Sequence, residues 1–416
     1  MPDVREALRE IGAGEGHRIG VVTGNTMLHV LLHAVAHDDG VTLVPFGPKT
    51  PPLALEEQGA VAGVVAWVIE EGTPWRPDAP HVVATADGMH ASGHGRIRGE
   101  PGDLAHIILH TSGTTGGPKP VPVTRSMLDA HREACIGRIE HDSGALWYAC
   151  LPLWHVGGVA LLDRCLRTQS RWLLAPRFDA QATAKALAEQ PVTHISLVPT
   201  MLRRLLDIGA SPPPSLRCAL VGGDRLDPSL AASALDAGWP VFASYGLTEA
   251  TSQVATATPD EVRDLPGTSG KPLPGVHVTT HGAIAIEGPT AAGGRVETSD
   301  VGRIEDGRLF VSGRLMERII TGGETLDARQ IEAALTSVPG VDAACVVGLA
   351  DAEWGQRVAC AYEGSVTPDA VRAAARGLLP AHAVPKHIEH RAALPRTSAG
   401  KLRRGEVLAR LQTVAT

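Results

Sequence analysis

The sequence has 416 residues, of which 44% are hydrophobic and 20% are charged, and its formal net charge is −7. A chain of this length accommodates two or three domains, or one large and one small domain, and can bury a sizeable core. The acidic balance argues against nucleic acid as the main partner, because phosphate backbones bind basic surfaces.

The compartment is indicated by what the sequence lacks. The N-terminus, MPDVREALREIGAGEGHR, has no apolar signal-peptide segment, and no apolar run reaches the roughly 18 residues of a membrane span. None of the six cysteines forms a C-x-x-C pair or a zinc-binding pattern. We therefore expect a cytoplasmic protein with buried thiols and no membrane partner. The sequence leaves the oligomeric state open.

Up to residue 237, short apolar segments alternate with amphipathic ones. The apolar segments predict buried strands at Ile19–Val22, Val61–Trp67, His106–Leu109, Trp147–Leu151, Trp172–Leu174, His194–Val198 and Cys218–Val221. The amphipathic segments predict helices at Met127–Ile139, Gly158–Arg167, Ala180–Glu189, Thr200–Leu206 and Asp227–Ala237. This alternation predicts an α/β fold of largely parallel sheets with helices on both faces.

From about Val276 the pattern changes to short strands separated by Gly- and Asp-rich turns. The strands predicted there are His277–Thr280, Ala283–Glu287, Gly302–Glu305 and Arg308–Val311, in a small antiparallel, β-barrel-like subdomain. Mixed α/β elements then return at Ala328–Ser337, Ala343–Leu349, Arg357–Tyr362 and Pro368–Leu379. We therefore predict a large domain, residues 1–314, and a small α+β domain, residues 315–416.

The segment His110–Pro122, HTSGTTGGPKPVP, has the composition of a phosphate-binding loop. Its glycines let the backbone approach a phosphate, and its hydroxyl and amide groups donate to phosphate oxygens. Prolines flank Lys119, so no helix begins at the lysine as it does in a Walker A loop. Lysine is rare in this arginine-rich chain, and its compact ammonium suits a tight phosphate site.

This segment resembles the phosphate-binding motif of the adenylate-forming superfamily, which includes acyl-CoA synthetases, adenylation domains of peptide synthetases and beetle luciferases. Further segments resemble that family's motifs and follow in its order: LPLWHVGG at Leu151–Gly158, LVGGD at Leu220–Asp224, SYGLTEATSQ at Ser244–Gln253, TSDVG at Thr298–Gly302, TGGE at Thr321–Glu324 and LPRTSAGKL at Leu394–Leu402. The resemblance covers residues 100–410 and implies that the C-terminal domain rotates between two half-reactions.

The resemblance also implies roles for individual residues. The phosphate cradle would consist of Thr111, Ser112, Gly113, Thr114, Thr115 and Lys119. The adenine and acyl pocket would be formed by Gly222, Gly223, Asp224, Tyr245 and Gly246. Thr248 would bond the α-phosphate, Glu249 would hold Mg²⁺, and His155 would lie near the acyl and pantetheine sites.

The remaining implied roles belong to the C-terminal part of the chain. Asp300 would accept both ribose hydroxyls, since a carboxylate offers two oxygens to a diol, and Arg314 would contact the nucleotide. Gly322 and Gly323 would line the pantetheine arm, and Lys401 would stabilise the charge that develops during adenylation. One departure occurs at the hinge, where Met316 stands in place of the family's usual small polar residue.

The resemblance implies an enzyme that uses ATP and Mg²⁺ to convert a carboxylic acid into its acyl adenylate and then transfers the acyl group to coenzyme A. LPLWHVGG, YGLTEATSQ and the compact length are most similar to o-succinylbenzoyl-CoA ligases. About 110 residues precede the phosphate segment, fewer than in most members, so we expect a trimmed N-terminal subdomain with remaining strands at Val21–Asn25 and Val41–Pro45.

Two other interpretations stay open at this point. The first is a secondary-metabolite enzyme that loads a carrier protein, forms an amide or activates a small oxyacid such as nitrite. The second is an inactive nucleotide-binding regulator, against which the intact Lys119, Glu249, Asp300 and Lys401 argue.

Overall fold

The computed structural model describes residues 4–85, 89–92, 105–112, 118–314, 318–322, 324–396 and 402–414. The chain forms two compact units. The larger unit contains residues 118–298 and 303–311 together with the described residues up to Thr111. The smaller unit contains Ser112, residues 299–302 and the described residues from Ser312 onward.

The larger unit begins with a seven-stranded sheet. Its strands are β1 (Arg18–Val22), β2 (Thr42–Phe46), β3 (Ala66–Glu70), β4 (His81–Ala84), β5 (Met89–Ser92), β6 (Ile107–Ser112) and β7 (Pro118–Val123), in the order β5-β4-β3-β1-β2-β6-β7. The accompanying helices are α1 (Val4–Glu10), α2 (Met27–Asp39), α3 (Pro52–Val61) and α4 (Arg125–Ile136). The pairs of β1 with β2 and β3, of β2 with β6 and of β3 with β4 are parallel.

A second seven-stranded sheet follows in the same unit. Its strands are β8 (Leu146–Ala149), β9 (Arg171–Leu174), β10 (His194–Leu197), β11 (Cys218–Val221), β12 (Val241–Leu247), β13 (Ser252–Ala257) and β14 (Lys271–Pro272), in the order β14-β13-β12-β11-β10-β8-β9. The helices are α5 (Val156–Thr168), α6 (Ala180–Glu189), α7 (Pro199–Asp207), α8 (Pro228–Asp236) and α9 (Pro259–Asp264). From β9 to β12 every pairing is parallel.

The small antiparallel elements predicted after Val276 are confirmed. Strands β15 (His277–Thr279), β16 (Ala285–Glu287) and β17 (Arg295–Glu297) form one sheet, and β18 (Asp300–Glu305) with β19 (Arg308–Arg314) forms another.

The last sheet contains β20 (Arg318–Thr321), β21 (Glu324–Asp327), β22 (Val341–Asp351), β23 (Gly355–Gly364) and β24 (His387–His390), with helices α10 (Ala328–Thr336), α11 (Pro368–Leu378) and α12 (Arg404–Val414).

One predicted element is wrong. The strand expected at Val61–Trp67 begins only at Ala66, because α3 continues to Val61 and the chain then turns through Gly63. Gly63 has a φ of +70°, a left-handed conformation that favours glycine and ends the helix. Within the described residues, no helix is long and apolar enough to cross a membrane.

Candidate functional site

The loops at the carboxyl edge of the second sheet carry three of the predicted segments. Strands β8, β10, β11 and β12 are parallel neighbours, so the segments that follow them emerge at one edge of the sheet. In open parallel sheets, ligands bind in the crevice at this edge. Gly222 lies against the next segment, since a Cβ placed on it would be 3.2 Å from the Ser244 carbonyl oxygen.

The segment after β11 turns through Gly223 into α8. Gly223 has a φ of +77°, which favours glycine, and a Cβ there would be 3.3 Å from Val198. Asp227 then caps α8 by accepting from the backbone N–H groups of Ser229 and Leu230. Asp224 is exposed at the start of this connection, where its Oδ1 accepts the Arg225 backbone N–H at 2.8 Å.

The turn after β12 positions Thr248 and Glu249. A short 3₁₀ turn holds both residues, and each is half-buried. The chain then reverses through Thr251 and Ser252, whose φ values of 57° and 91° are unusual for residues with a side chain. The Thr251 hydroxyl donates to the Thr290 carbonyl at 2.8 Å and is fully buried, which stabilises the turn.

Gly246 and Tyr245 fix the approach to this turn. A Cβ on Gly246 would be 1.8 Å from the Ser252 carbonyl oxygen, so no larger residue fits without moving the backbone. Tyr245 is buried with Val254 and Ile286 in the core beside β13. The predicted Y-G-x-T-E segment is thus a rigid strand end followed by a tightly closed turn.

The phosphate segment begins in β6 and continues in β7. Thr111 is half-buried in β6, and Lys119 is exposed in β7. Strand β7 contacts the 3₁₀ turn of Thr248 and Glu249, so the lysine's strand lies beside that carboxylate's turn. Ser112 ends β6. Gly113, Thr114 and Thr115 lie outside the described residues.

His155 stands at the junction between a loop and a helix. It is the N-cap residue of α5 and is exposed, beside the ring of Trp154. Gly158 allows the tight turn, since a Cβ there would be 2.2 Å from the Pro152 carbonyl oxygen. Another glycine, Gly47, leaves room for Trp154, whose indole Nε1 would be 2.8 Å from a Cβ at that position.

A buried arginine on α5 was missed by the sequence analysis. Arg164 is 2% exposed, stacks over Trp147 at 5.0 Å, and donates to Gln253 Oε1 at 3.2 Å. It also donates to Cys135 Sγ at 3.4 Å, and among the described residues its Nε has no hydrogen-bond partner. The neighbouring Asp163 is also buried, and its carboxylate interacts electrostatically with Arg164, which offsets part of the cost of burying the cation. A charged residue inside the apolar stretch of a predicted helix was the available signal.

His131 completes the surroundings of Gln253. Its Nε2 accepts the Gln253 backbone N–H at 3.2 Å. Burial, with the nearby Arg164 and Arg132, lowers the pKa of His131 to about 3, so the ring stays neutral and can accept. The segment after the Thr251–Ser252 reversal is therefore held by buried hydrogen bonds to α4 and α5.

In the smaller unit, Asp300 and Arg314 form an ion pair. Arg314 Nε donates to Asp300 Oδ1 at 3.2 Å, with the arginine side chain 49% exposed and the carboxylate 17% exposed. Asp300 begins β18 and Arg314 ends β19, the two strands of one sheet. Two residues predicted to act on the nucleotide are therefore in contact.

Gly322 lies beneath an exposed tryptophan in the same unit. It has a φ of +58°, and a Cβ there would be 2.7 Å from the Trp354 ring. The Gly322 N–H donates to the Trp354 carbonyl at 2.9 Å. Gly323, Lys401 and the hinge residue Met316 lie outside the described residues. No group of three metal-binding side chains occurs in the part of the chain that the structure describes.

The fold and these segments define the class of protein. Residues 4–282 match the family model of AMP-binding enzymes, and residues 330–401 match the AMP-binding enzyme C-terminal domain. The chain belongs to the AMP-binding enzyme family, as its phosphate segment and Y-G-x-T-E segment predicted.

Particular relatives refine the comparison. The chain is 34% identical to the 2-succinylbenzoate–CoA ligase of Bacillus cereus, over 97% of this chain and 90% of that protein. It is 36% identical to the ligase of the same name from Bacillus mycoides, over 73% of this chain and 69% of that protein.

Solved structures confirm the fold. The o-succinylbenzoate CoA synthetase of Bacillus subtilis in complex with its acyl-adenylate intermediate superposes with a TM-score of 0.85 at 24% identity, covering 97% of this chain and 90% of that one. The same enzyme with ATP and magnesium gives a TM-score of 0.84. The predicted α/β architecture is thereby confirmed.

Proposed function

We propose that this chain is an AMP-forming acid–thiol ligase that activates 2-succinylbenzoate with ATP and Mg²⁺ and transfers the acyl group to coenzyme A. The observation that carries this proposal is the 34% identity, over 97% of the chain, to a 2-succinylbenzoate–CoA ligase. The rigid Tyr245–Glu249 turn beside β7 supports it, because phosphate-binding and metal-binding groups must be held in fixed positions.

In the first half-reaction, a substrate carboxylate oxygen attacks the α-phosphorus of ATP and pyrophosphate leaves. Lys119 and the hydroxyls of the phosphate segment bind the phosphates in this proposal, and Thr248 bonds the α-phosphate. Lys401 reaches the reacting carboxylate and stabilises the negative charge that builds up there. In the second half-reaction the thiolate of coenzyme A attacks the acyl carbon, and AMP leaves.

The carboxylate of Glu249 is a hard oxygen ligand of the kind that Mg²⁺ prefers. Magnesium is usually held by one or two carboxylates together with substrate phosphates, and it keeps several waters. Glu249 is a half-buried carboxylate on a fixed turn, and the strand of Lys119 contacts that turn. A bound Mg²⁺ would neutralise phosphate charge during the displacement. In this proposal, Glu249 fixes the position of the Mg²⁺ ion relative to the phosphates.

The proposed substrate has two carboxylates. One carboxylate of 2-succinylbenzoate is activated, and the other stays anionic. Arg164 does not supply the counter-charge for it, because Arg164 stacks over Trp147, whose partner in β10 is His194 at the amino end of that strand.

The function is tested by a product assay with paired acids. The protein is incubated with ATP, Mg²⁺, coenzyme A and either 2-succinylbenzoate or 4-phenyl-4-oxobutyrate, which lacks the ring carboxylate, and AMP and acyl-CoA are measured by mass spectrometry. We expect both products from the dicarboxylate and a much lower kcat/KM for the monocarboxylate. AMP without a thioester would indicate a different acceptor. No product from either acid would refute the proposed substrate.

A further inference from the structure

The loop Leu151–His155 is hydrogen-bonded by the buried side chain of Asn25, which follows strand β1 of the first sheet. The Asn25 amide nitrogen donates to the Leu151 carbonyl at 2.9 Å and to the Ala175 carbonyl at 3.1 Å. Its Oδ1 accepts the Leu153 backbone N–H at 2.9 Å. Asn25 is 5% exposed, so all three bonds are shielded from water.

Asn25 connects the carboxyl edges of the two seven-stranded sheets. Asn25 follows the carboxyl end of β1 in the first sheet, whereas Leu151 and Ala175 follow the carboxyl ends of β8 and β9 in the second. One side chain thus links the carboxyl edges of both sheets, where ligands of parallel sheets bind. Asn25 satisfies backbone groups that would otherwise be buried without partners.

A second residue of the same segment supports the loop. His29 on α2 hydrogen-bonds the Thr23 hydroxyl through Nδ1 at 2.8 Å and also bonds to the backbone of Leu153. Burial lowers the pKa of His29 to about 4, so the ring is neutral and its two nitrogens play opposite roles at neutral pH. Leu153 itself packs against Val30 of α2.

We infer that Asn25 is a positioning residue, which holds the loop Leu151–His155 in place and thereby sets the position of His155. This inference rests on the proposed function, for which the family resemblance implies that His155 lies near the acyl and pantetheine sites. His155 is exposed at the end of this loop, and the Asn25 bonds fix the two residues Leu151 and Leu153 that precede it. A small displacement of a positioned group is enough to slow a reaction by up to about a hundredfold.

The test compares Asn25→Ala with a matched control, His194→Ala. His194 is fully buried and also makes two hydrogen bonds, to the Thr193 hydroxyl and the Ile139 carbonyl, but it begins β10 at the opposite edge of the sheet. Hydrogen exchange by mass spectrometry is followed in the peptide 149–158. In parallel, kcat/KM for 2-succinylbenzoate and KM for ATP are measured well below each variant's unfolding midpoint.

We expect both variants to unfold at lower temperature than the wild type. Only Asn25→Ala should speed exchange of the loop peptide and lower kcat/KM for the acid, by about tenfold or more, while its KM for ATP changes less than twofold. Exchange and kinetics of Asn25→Ala that match His194→Ala would overturn the inference. If the wild type does not use 2-succinylbenzoate, the proposed function fails, and the exchange data still decide whether Asn25 holds the loop.

If Asn25→Ala does not fold, the isosteric variant Asn25→Asp tests the positioning role instead. Aspartate retains the acceptor for Leu153 N–H but places a carboxylate against the Leu151 and Ala175 carbonyl oxygens. Protonation would restore one donor, and burial favours the neutral form. We expect its kcat/KM relative to the wild type to rise as the pH is lowered from 8 to 6. A ratio that is flat with pH would contradict a positioning role.

Discussion

Acid should destabilise the larger unit through His106, which lies just before β6. His106 is 2% exposed, its Nε2 is 3.5 Å from His33 Nε2, and its ring is edge-on to that of His37. Burial lowers the pKa of His106 from 6.5 to about 3, and the nearby His37 and Arg125 lower it further while Asp129 acts in the opposite direction. The folded state therefore keeps this ring neutral at pH values where the unfolded chain protonates it.

The size of the effect follows from proton linkage. At pH 7 the His106 ring is mostly neutral in both the folded and the unfolded chain, so it does not lower the free energy of unfolding there. Below 6.5 only the unfolded state gains a proton until the pH approaches 3, so stability is lost as the pH falls. A pH of 5 lies about 1.5 units below the pKa of 6.5 that the ring has in the unfolded chain, and each unit corresponds to about 1.4 kcal/mol. The free energy of unfolding at pH 5 is therefore lower by about 2 kcal/mol. That is a large fraction of the roughly 5–15 kcal/mol stability of a typical domain.

The assay is urea unfolding at pH 7 and pH 5, followed by tryptophan fluorescence. Six of the seven tryptophans lie in the larger unit, so the signal reports mainly on that unit. The His106→Leu variant should reduce the difference in unfolding free energy between the two pH values by about 2 kcal/mol. A matched core variant, Leu43→Ala, should lower stability equally at both, because leucine does not titrate.

If the unfolding free energy changes between pH 7 and pH 5 by the same amount in His106→Leu as in the wild type, His106 is not the titrating group. Such a result would mean that the buried ring takes up a proton in the folded state at the same pH as in the unfolded chain.

Three further predictions concern the two half-reactions. Lys401→Ala should cut pyrophosphate exchange severely yet spare transfer from preformed acyl adenylate, and equal loss of both steps would contradict its assignment. Glu249→Gln should raise the Mg²⁺ concentration needed for half-maximal adenylation by about tenfold, since removing a carboxylate ligand weakens a hard-cation site; an unchanged Mg²⁺ titration would exclude Glu249 as the ligand. Gly322→Val should slow thioester formation more than adenylation, because the left-handed φ and the Trp354 ring leave no room for a side chain; equal slowing of both steps would refute a specific role for this loop.

Elements with clear local signals were predicted well. The structure has α6 at Ala180–Glu189 and β11 at Cys218–Val221, both with the predicted bounds. Asp179 caps α6, and β11 is a short apolar strand that is buried along its whole length, so neighbouring residues alone define them. The prediction for Val61–Trp67 failed because this apolar run belongs to two elements. Val61 ends α3 and is 67% exposed, whereas only Ala66 and Trp67 belong to β3.

In the candidate site, too, residues in local motifs were predicted, whereas a residue that depends on distant contacts was not. The glycines at 222, 223, 246 and 322 were recognised from their motifs, and the structure supplies the close contacts that require them. Asn25 was missed as a functional candidate, because one of its partners lies 150 residues away in the sequence. Only the pairing of strands brings those partners together.

We expect the acid to be activated by direct attack of its carboxylate on ATP. The measurement that tests this step is to label both carboxylates of 2-succinylbenzoate with oxygen-18 and to analyse the AMP after complete conversion to acyl-CoA. One labelled oxygen should appear in AMP and none in pyrophosphate. Unlabelled AMP, or label in a released phosphate, would contradict an acyl-adenylate route.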